Sequence, residues 1–274
     1  MIINQNKLNY NTIKDYLNTE FIGRNIIHFD ELDSTNNYAK SIANDLEGEG
    51  QVVITEKQLN GRGRLGRQWI SQNDNGIWMS IILKPNINIE DVSKITQVAA
   101  AAINLGLLSQ GIKTEIKWPN DIILNNKKTC GILVEINTNT NNFEKGKINF
   151  VIVGIGINVN NGIEDFPEEL RYIATSLKIE EKKEFKRNII VAEVLNNFEM
   201  LYTSFVNDDF SKSLDICKKN SYILGKEINL MKNQETIEAK ALDINENGEL
   251  VVMYENGEID NIISGEISVR IRKN

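Results

Sequence analysis

The chain has 274 residues and a formal net charge of −7, so a general attraction to nucleic acid or to an anionic membrane is excluded and any anion site must be a local concentration of cations. Hydrophobic residues make up 41% and charged residues 25%, an ordinary globular balance with no apolar run or leader pattern that predicts a membrane span or a signal peptide. Cys130 and Cys217 lack C-x-x-C spacing, which argues against a disulfide framework or a zinc site and leads us to expect reduced thiols in a cytoplasmic protein.

In chain order, "RNIIHF" predicts a short strand, and "STNNYAKSIA" a helix with Ser34, Thr35 and Asn36 at its cap or turn. "QVVIT" (51–55) predicts a buried strand that runs into "GRGRLGRQW" (61–69), and "GIWMSIIL" (76–83) predicts the next strand. The glycine-arginine loop is thus anchored at both ends in the core. Apolar residues at 92, 95, 99, 102 and 103 predict a helix from Val92 to about Gln110, stopped by Gly111. "EIKWPNDIIL", "TCGILVEI" and "INFVIVGIGINV" are three strand-like runs, the first two joined by the polar turn "NNKK". A stripe at 190, 194, 198, 201 and 205 predicts a second amphipathic helix over 187–206. Beyond Tyr222 the texture changes to short alternating strands, with Asn247-Gly248 and Asn256-Gly257 expected to supply the positive φ angles of tight hairpins. A meander of this size closes as a small barrel or a curled sheet. The expected division is therefore residues 1–222 and 223–274.

Four stretches could carry chemistry. In the loop, Gly61, Gly63 and Gly66 remove side-chain obstruction, while Arg62, Arg64 and Arg67 repel one another unless an anion sits among them. A ligand with a carboxylate and a phosphate would order such a loop, because the guanidinium fork matches both groups. A solvated surface loop is the plain alternative; anchoring between strands argues against a nucleic-acid-binding tail. In "KWPND" (117–121), Pro119 holds Trp118 extended and ends regular pairing, which leaves Asn120 and Asp121 projecting beside Lys117. "KKTCGIL" (127–133) returns a lysine, Lys128, at the start of the next strand, with Gly131 permitting close backbone approach. "GIGIN" (154–158) lacks the third glycine and the following helix of a dinucleotide fingerprint. Its glycines are expected to let a ligand lie against backbone, with Asn158 at the rim. There is no phosphate-binding P-loop pattern, and His28, the only histidine, reads as structural.

Taken in order, "STN" (34–36), "TEKQLNGRGRLGRQW" (55–69), "KWPNDI" (117–122), "KKTCGIL" (127–133) and "GIGINV" (154–159) resemble the motifs of biotin–protein ligases, and the resemblance covers nearly the whole chain. It implies an α+β fold: a mixed β-sheet with helices packed against it, of the class II aminoacyl-tRNA-synthetase-like or biotin–lipoate ligase kind. A small C-terminal Src homology 3-like β-barrel would run from near Leu224 to "GEISVRI". The implied enzyme joins biotin's carboxylate to the α-phosphate of ATP, releases pyrophosphate, and passes biotin from biotinyl-5′-AMP to one lysine of a biotin carboxyl carrier domain. By the same resemblance, Ser34, Thr35, Asn36 and Gln58 line the biotin pocket, and Arg62, Gly63, Arg64 and Lys128 meet the carboxylate and phosphate. Lys117, Asn120 and Asn158, with Arg64 and Lys128, serve the nucleotide, and Asp121 faces the acceptor lysine. Arg64, Lys128 and Asp121 form the implied catalytic set. Mg2+ is expected to travel with the phosphates, and no metal ligands are identified.

Many such ligases carry an N-terminal winged helix-turn-helix; the roughly thirty residues before "STN" are too few for three average helices, so a monofunctional enzyme without a DNA partner is expected. Leu65 stands where relatives often carry a basic residue. The rival readings are a lipoate–protein ligase, which shares the fold and the adenylation strategy, and a non-catalytic biotin-responsive regulator. The loop sequence favours biotin. Exposed strand edges make a homodimer conceivable.

Overall fold

The computed structural model describes residues 7–138, 147–232, 235–263 and 268–272. Its larger sheet is mixed and seven-stranded: β1 (Ile26–Leu32), β2 (Val52–Gln58), β3 (Ile77–Leu83), β4 (Glu115–Lys117), β5 (Asp121–Leu124), β6 (Lys127–Thr138) and β7 (Ile148–Ile157), in the order β1-β2-β3-β7-β6-β5-β4. Only β1 and β2 pair in parallel. The helices are α1 (Tyr10–Lys14), α2 (Thr35–Ala43), α3 (Val92–Ser109), α4 (Leu177–Glu181), α5 (Arg187–Val206) and α6 (Ser211–Lys219). A second, antiparallel sheet of five strands follows: β8 (Glu227–Lys232), β9 (Glu235–Ile244), β10 (Leu250–Tyr254), β11 (Ile259–Ile262) and β12 (Ser268–Ile271), in the order β11-β10-β9-β8-β12. This is the α+β arrangement expected; residues 265–267 of "GEISVRI" lie outside the described residues.

The period of two along each strand assigns the two faces of the larger sheet. Val52, Ile54, Ile81, Leu83, Val151 and Val153 face the main core with α3, while Val53, Ile82, Phe150 and Ile152 meet Ala39 and Ala43 of α2 on the other face. Along β7 the α2 face reads Phe150, Ile152, Gly154, Gly156, so side chains vanish toward the strand's end and leave a hollow there. On the opposite face, the run Ala99–Ala102 is wholly buried, which lets α3 sit close between the sheet and α5. Contrary to expectation, Ile89–Ser109, which includes α3, and α5 each suffice by length and composition to cross a bilayer, but both are mostly buried in this core.

Four turns differ from expectation. "EIKWPNDIIL" is not one strand: β4 and β5 pair with each other, Lys117 opposite Asp121, around a turn that contains the cis Trp118–Pro119 bond. Proline has no N–H for a ladder, so the run folds back there. In "NNKK", Asn125 (φ 49°) and Asn126 (φ 65°) alone make the turn, and both lysines enter β6. Asparagine tolerates this left-handed conformation, which a two-residue hairpin turn requires twice. At the two Asn-Gly pairs only Gly248 (φ 77°) and Gly257 (φ 83°) are left-handed. Each ends a type I turn with a bulge; at the second, Gly257 N donates to Tyr254 O at 2.9 Å and Tyr254 N to Glu258 O at 2.9 Å.

Two polar arrangements tie the layers together. Arg187, at the start of α5 and 2% exposed, places Nη1 2.8 Å from Glu56 Oε2 on β2 and donates to Gly76 O at 2.8 Å. Glu56 also accepts the Leu8 amide at 2.7 Å, and His28 Nε2 lies 3.6 Å away, so the lone histidine is part of this structural cluster. Second, Gly248 O at the β9–β10 turn accepts Gln97 Nε2 of α3 at 2.6 Å and Trp118 Nε1 at 3.0 Å. Both donors belong to the body of the larger sheet.

Candidate active site

The glycine-arginine loop leaves β2 and returns to β3 as a short ribbon. Arg62 and Gln68 form a bridge, Gly63 N donates to Arg67 O at 2.8 Å, and Trp69 N donates to Gly61 O at 2.9 Å. A tight turn over Arg64–Gly66 caps it, with Leu65 (φ 56°) and Gly66 (φ 71°) both left-handed. The glycines that free the backbone thus let the loop bond to itself without a ligand. Two of its three arginines also have protein partners. Arg62 Nη1 donates to Asn37 Oδ1 at 3.0 Å and Nη2 stands 3.5 Å from Glu135 Oε1, while Arg64 Nη1 donates to Asn120 Oδ1 at 3.0 Å. Lys128 Nζ is 2.6 Å from Asp121 Oδ1 and lies over the Trp69 ring, 5.1 Å from its centroid.

Under the ribbon is a cavity of about 470 Å3, counting its open mouth. Ser34, Thr35 and Asn36 at the start of α2 line it, with Gln58 at the end of β2, Met79 of β3, and the tail of β7. Arg62, Gly63, Arg64, Trp69, Asn120, Lys128 and the Gly131–Leu133 stretch of β6 complete the wall. The floor is neutral and fixed. Gln58 Oε1 accepts from Thr35 N at 2.9 Å and Thr35 Oγ1 at 3.1 Å, while its Nε2 donates to Ser71 Oγ at 3.1 Å. Ser80 donates to Asn36 Oδ1 at 2.6 Å, and Asn36 Nδ2 donates to Glu135 Oε2 at 2.8 Å. Both carboxamides are therefore oriented before any ligand arrives.

Gly154 and Gly156 of "GIGIN" do line the cavity, as the sequence suggested, but neither stands bare. The space above Gly154 is filled by the Asn36 carboxamide and that above Gly156 by the Trp69 indole, so each glycine seats a lining side chain. Asn158 is not at the rim either. It is 3% exposed, its N–H donates to Thr129 O at 2.8 Å and its Nδ2 to Thr175 O at 3.0 Å, which pins the chain behind the wall. Lys117 and Asp121 also stand outside the lining, Asp121 joined to it through Lys128. Burial pushes the Lys117 ammonium below its ordinary pKa; Asp121 opposes this, and Lys128, Arg270 and Arg67 add to it. Arg270, on β12, was not singled out from the sequence, nor were Ser80 and Glu135. Among the described residues no group of three or more His, Cys, Asp or Glu is placed to hold a metal.

A mixed sheet that carries a cavity under a cationic mouth is the arrangement of the biotin and lipoate ligases. Residues 28–158 match the model of the "Biotin/lipoate A/B protein ligase family", and residues 223–270 that of the "Biotin protein ligase C terminal domain". The bifunctional ligase/repressor BirA of Bacillus subtilis is 38% identical over 264 residues, 96% of this chain and 79% of that protein. The biotin–[acetyl-CoA-carboxylase] ligase of Mycobacterium tuberculosis is 28% identical over 212 residues, covering 74% of this chain and 73% of its own. Among solved structures, the biotin protein ligase of Aquifex aeolicus in complex with biotin and ATP matches with a TM-score of 0.78 at 29% identity, over 91% of this chain and all of that one. The chain belongs to the biotin–protein ligase family. It is an ATP-dependent enzyme that ligates biotin to protein.

The seating of Asn36 on Gly154 gives a direct test. A methyl group at residue 154 would overlap the Asn36 carboxamide and turn it from its partners. Gly154→Ala is expected to weaken biotin binding about tenfold, the cost of one misplaced buried hydrogen-bonding group, with the KM for ATP unchanged. Calorimetric titration with biotin checks the first part and steady-state kinetics the second.

Proposed function

We propose that the neutral floor takes biotin's ureido ring and the cationic mouth its carboxylate, and that the enzyme makes biotinyl-5′-AMP before transfer. The observation that carries this is the pairing of oriented, uncharged amides below with arginine and lysine above. Ser34, Thr35, Asn36 and Gln58 hold the ring, and Arg62, Gly63 and Arg64 meet the carboxylate and the α-phosphate. Lys128 is aimed where charge grows as the carboxylate oxygen attacks phosphorus and pyrophosphate leaves. Asn120 and Lys117 stand on the side from which the nucleotide's phosphates enter. Asn158 supports this wall from behind and makes no contact of its own in our reading. In the second step the acceptor amine attacks the acyl carbon, AMP departs, and Asp121 is the nearby carboxylate able to take the amine's proton.

Magnesium accompanies the nucleotide. The residues present fit an ion held chiefly by phosphate oxygens and water: Asp121 is a single carboxylate already paired with Lys128, and the described residues form no ligand cluster beside it. When bound, the ion neutralises phosphate charge. The protein substrate is a biotin carboxyl carrier domain, and we place the reaction in the cytoplasm, where Cys130 and Cys217 remain the free thiols they are here. We also divide the chain at 222/223, with the catalytic unit before it and the C-terminal sheet after.

Lipoate fits less well, since its dithiolane ring has neither N–H nor C=O to satisfy the floor. Incubation with ATP, an apo-carrier domain and labelled biotin or lipoate tests the reading. Acid-stable biotin label on the carrier is the expected result; lipoate label, or no transfer, would overturn it.

A further inference from the structure

We propose that Glu135 is a positioning residue: it holds Arg62 in the attitude that receives biotin's carboxylate. The proposal rests on the assignment of that carboxylate to Arg62. Glu135 lies on β6 in the apolar run "GILVEI" and does not line the cavity. Its carboxylate nevertheless gathers three groups, two of which, Asn36 and Arg62, line the cavity. Oε1 is 2.5 Å from Lys40 Nζ and 3.5 Å from Arg62 Nη2, and Oε2 accepts Asn36 Nδ2 at 2.8 Å.

An arginine on a loop samples many rotamers, and each must be given up when a ligand binds. Arg62 is half-exposed on its ribbon, so the backbone alone does not choose among them. Two acceptors on different elements do. Asn37 of α2 takes Nη1, its own amide held by Asp33 Oδ2 at 3.0 Å, and Glu135 of β6 faces Nη2. The guanidinium has five donors, so holding it by its two ends leaves others for the ligand. A carboxylate so near the mouth would by itself repel biotin's own. Lys40 cancels that charge, and the cluster of Glu135, Lys40 and Arg62 keeps a net charge of one positive. Burial alone would raise the Glu135 pKa, yet its hydrogen bonds with Lys40 and Asn36 and the charges of Lys40 and Arg62 hold it below the ordinary value, so it is ionised in the working range.

Positioning and simple electrostatics predict opposite signs. If Glu135 acted only through the field, Glu135→Gln would tighten the binding of an anion; if it positions Arg62, the same change weakens it. The experiment is calorimetric titration of wild type, Glu135→Gln, Arg62→Ala and the double variant with two probes, biotin and biotinol, in which an alcohol replaces the carboxylate. Glutamine keeps an acceptor for Asn36. The expected result is about tenfold weaker binding of biotin by Glu135→Gln with biotinol unaffected, and no further loss when the change is added to Arg62→Ala. Where the glutamine variant fails to fold, Glu135→Asp serves instead; it draws the carboxylate back from Arg62 and Asn36 alike, so a larger loss for biotin than for biotinol is then expected and equal losses overturn the proposal. Equal losses for both probes would mean that Glu135 acts through Asn36 or the fold and would overturn the proposal, as would unchanged or tighter biotin binding. Normal biotin affinity in Arg62→Ala rejects the carboxylate assignment itself, whereas loss in Arg62→Ala with none in Glu135→Gln rejects Glu135 alone.

Discussion

Lys128→Ala is expected to slow formation of the adenylate by about 10²–10³-fold while biotin affinity changes by no more than about threefold. The lysine sits just past the Asn125-Asn126 turn, and its backbone is fixed on both sides: its N–H donates to Ile173 O at 2.8 Å and its C=O accepts Thr175 N at 2.9 Å. Its ammonium is held by Asp121 and the Trp69 face, so little reorganisation is needed when a phosphate replaces the aspartate. A cation placed this way stabilises the transition state more than the bound substrate, because only there does negative charge build up at the α-phosphoryl group. Single-turnover release of pyrophosphate reads the step directly. Lys128→Arg should recover only part of the rate, since the planar fork cannot occupy the place of a point charge. Adenylate formed by the alanine variant at the normal rate would mean that Lys128 has another role.

The largest loss of stability is expected from Arg187→Leu. It strips Glu56 of its buried cation and leaves the carboxylate at 5% exposure, with the Gly76 carbonyl short of a donor. Removing one member of a buried pair costs about 3–5 kcal/mol, which in a protein of this size lowers Tm by roughly 6–20 °C. Replacing both members, as in Glu56→Leu/Arg187→Leu, should recover much of the loss, because no buried charge is then left uncompensated. The pH dependence carries a sign. Burial alone would raise the Glu56 pKa, but His28, Arg187 and the Leu8 amide hold it below its ordinary value. In the wild type this contribution is therefore complete above the ordinary carboxylate pKa and is lost as pH falls through the lowered one. In Arg187→Leu burial is no longer opposed by the arginine and the carboxyl takes up a proton more readily. The deficit of the variant should narrow between pH 7 and pH 4 in denaturant titrations; a constant deficit would show that Arg187 contributes packing alone.

The elements with a strong period were legible in the sequence. The helical stripes at 92–103 and 190–205 and the apolar runs of β3 and β7 lie where they were expected, because burial of one face is a local pattern that persists in the fold. The motif residues could also be placed: Ser34, Thr35, Asn36 and Gln58 come together on one wall with Arg62, Arg64 and Lys128. What failed was complementarity between distant segments. Gly154 reads as an opening in a strand, and only the arrival of Asn36 from α2 shows that it is a seat. Asn158 ends a motif and looks available, yet Thr129 and Thr175 claim its polar groups from two other segments. Ser80 and Glu135 did carry a signal, each being a lone polar residue in an apolar strand, but a sequence does not say which distant groups such a residue will satisfy. Turn chemistry misled in a narrower way: the paired left-handed residues fell at Asn125-Asn126, not at the two Asn-Gly pairs.

The carbonyl of Gly248 has a consequence for how the molecule comes apart. An indole N–H and a carboxamide N–H from one sheet's body both end on this single oxygen of the other sheet. Separating the sheets would break both bonds and also expose Ile228, Leu230, Ala241, Leu250 and Val252, which share one buried core with the larger sheet and α3. The C-terminal sheet is therefore not a lid that peels away on warming. Heating is expected to take the two sheets down in one transition, read as a single calorimetric peak whose van't Hoff and calorimetric enthalpies agree.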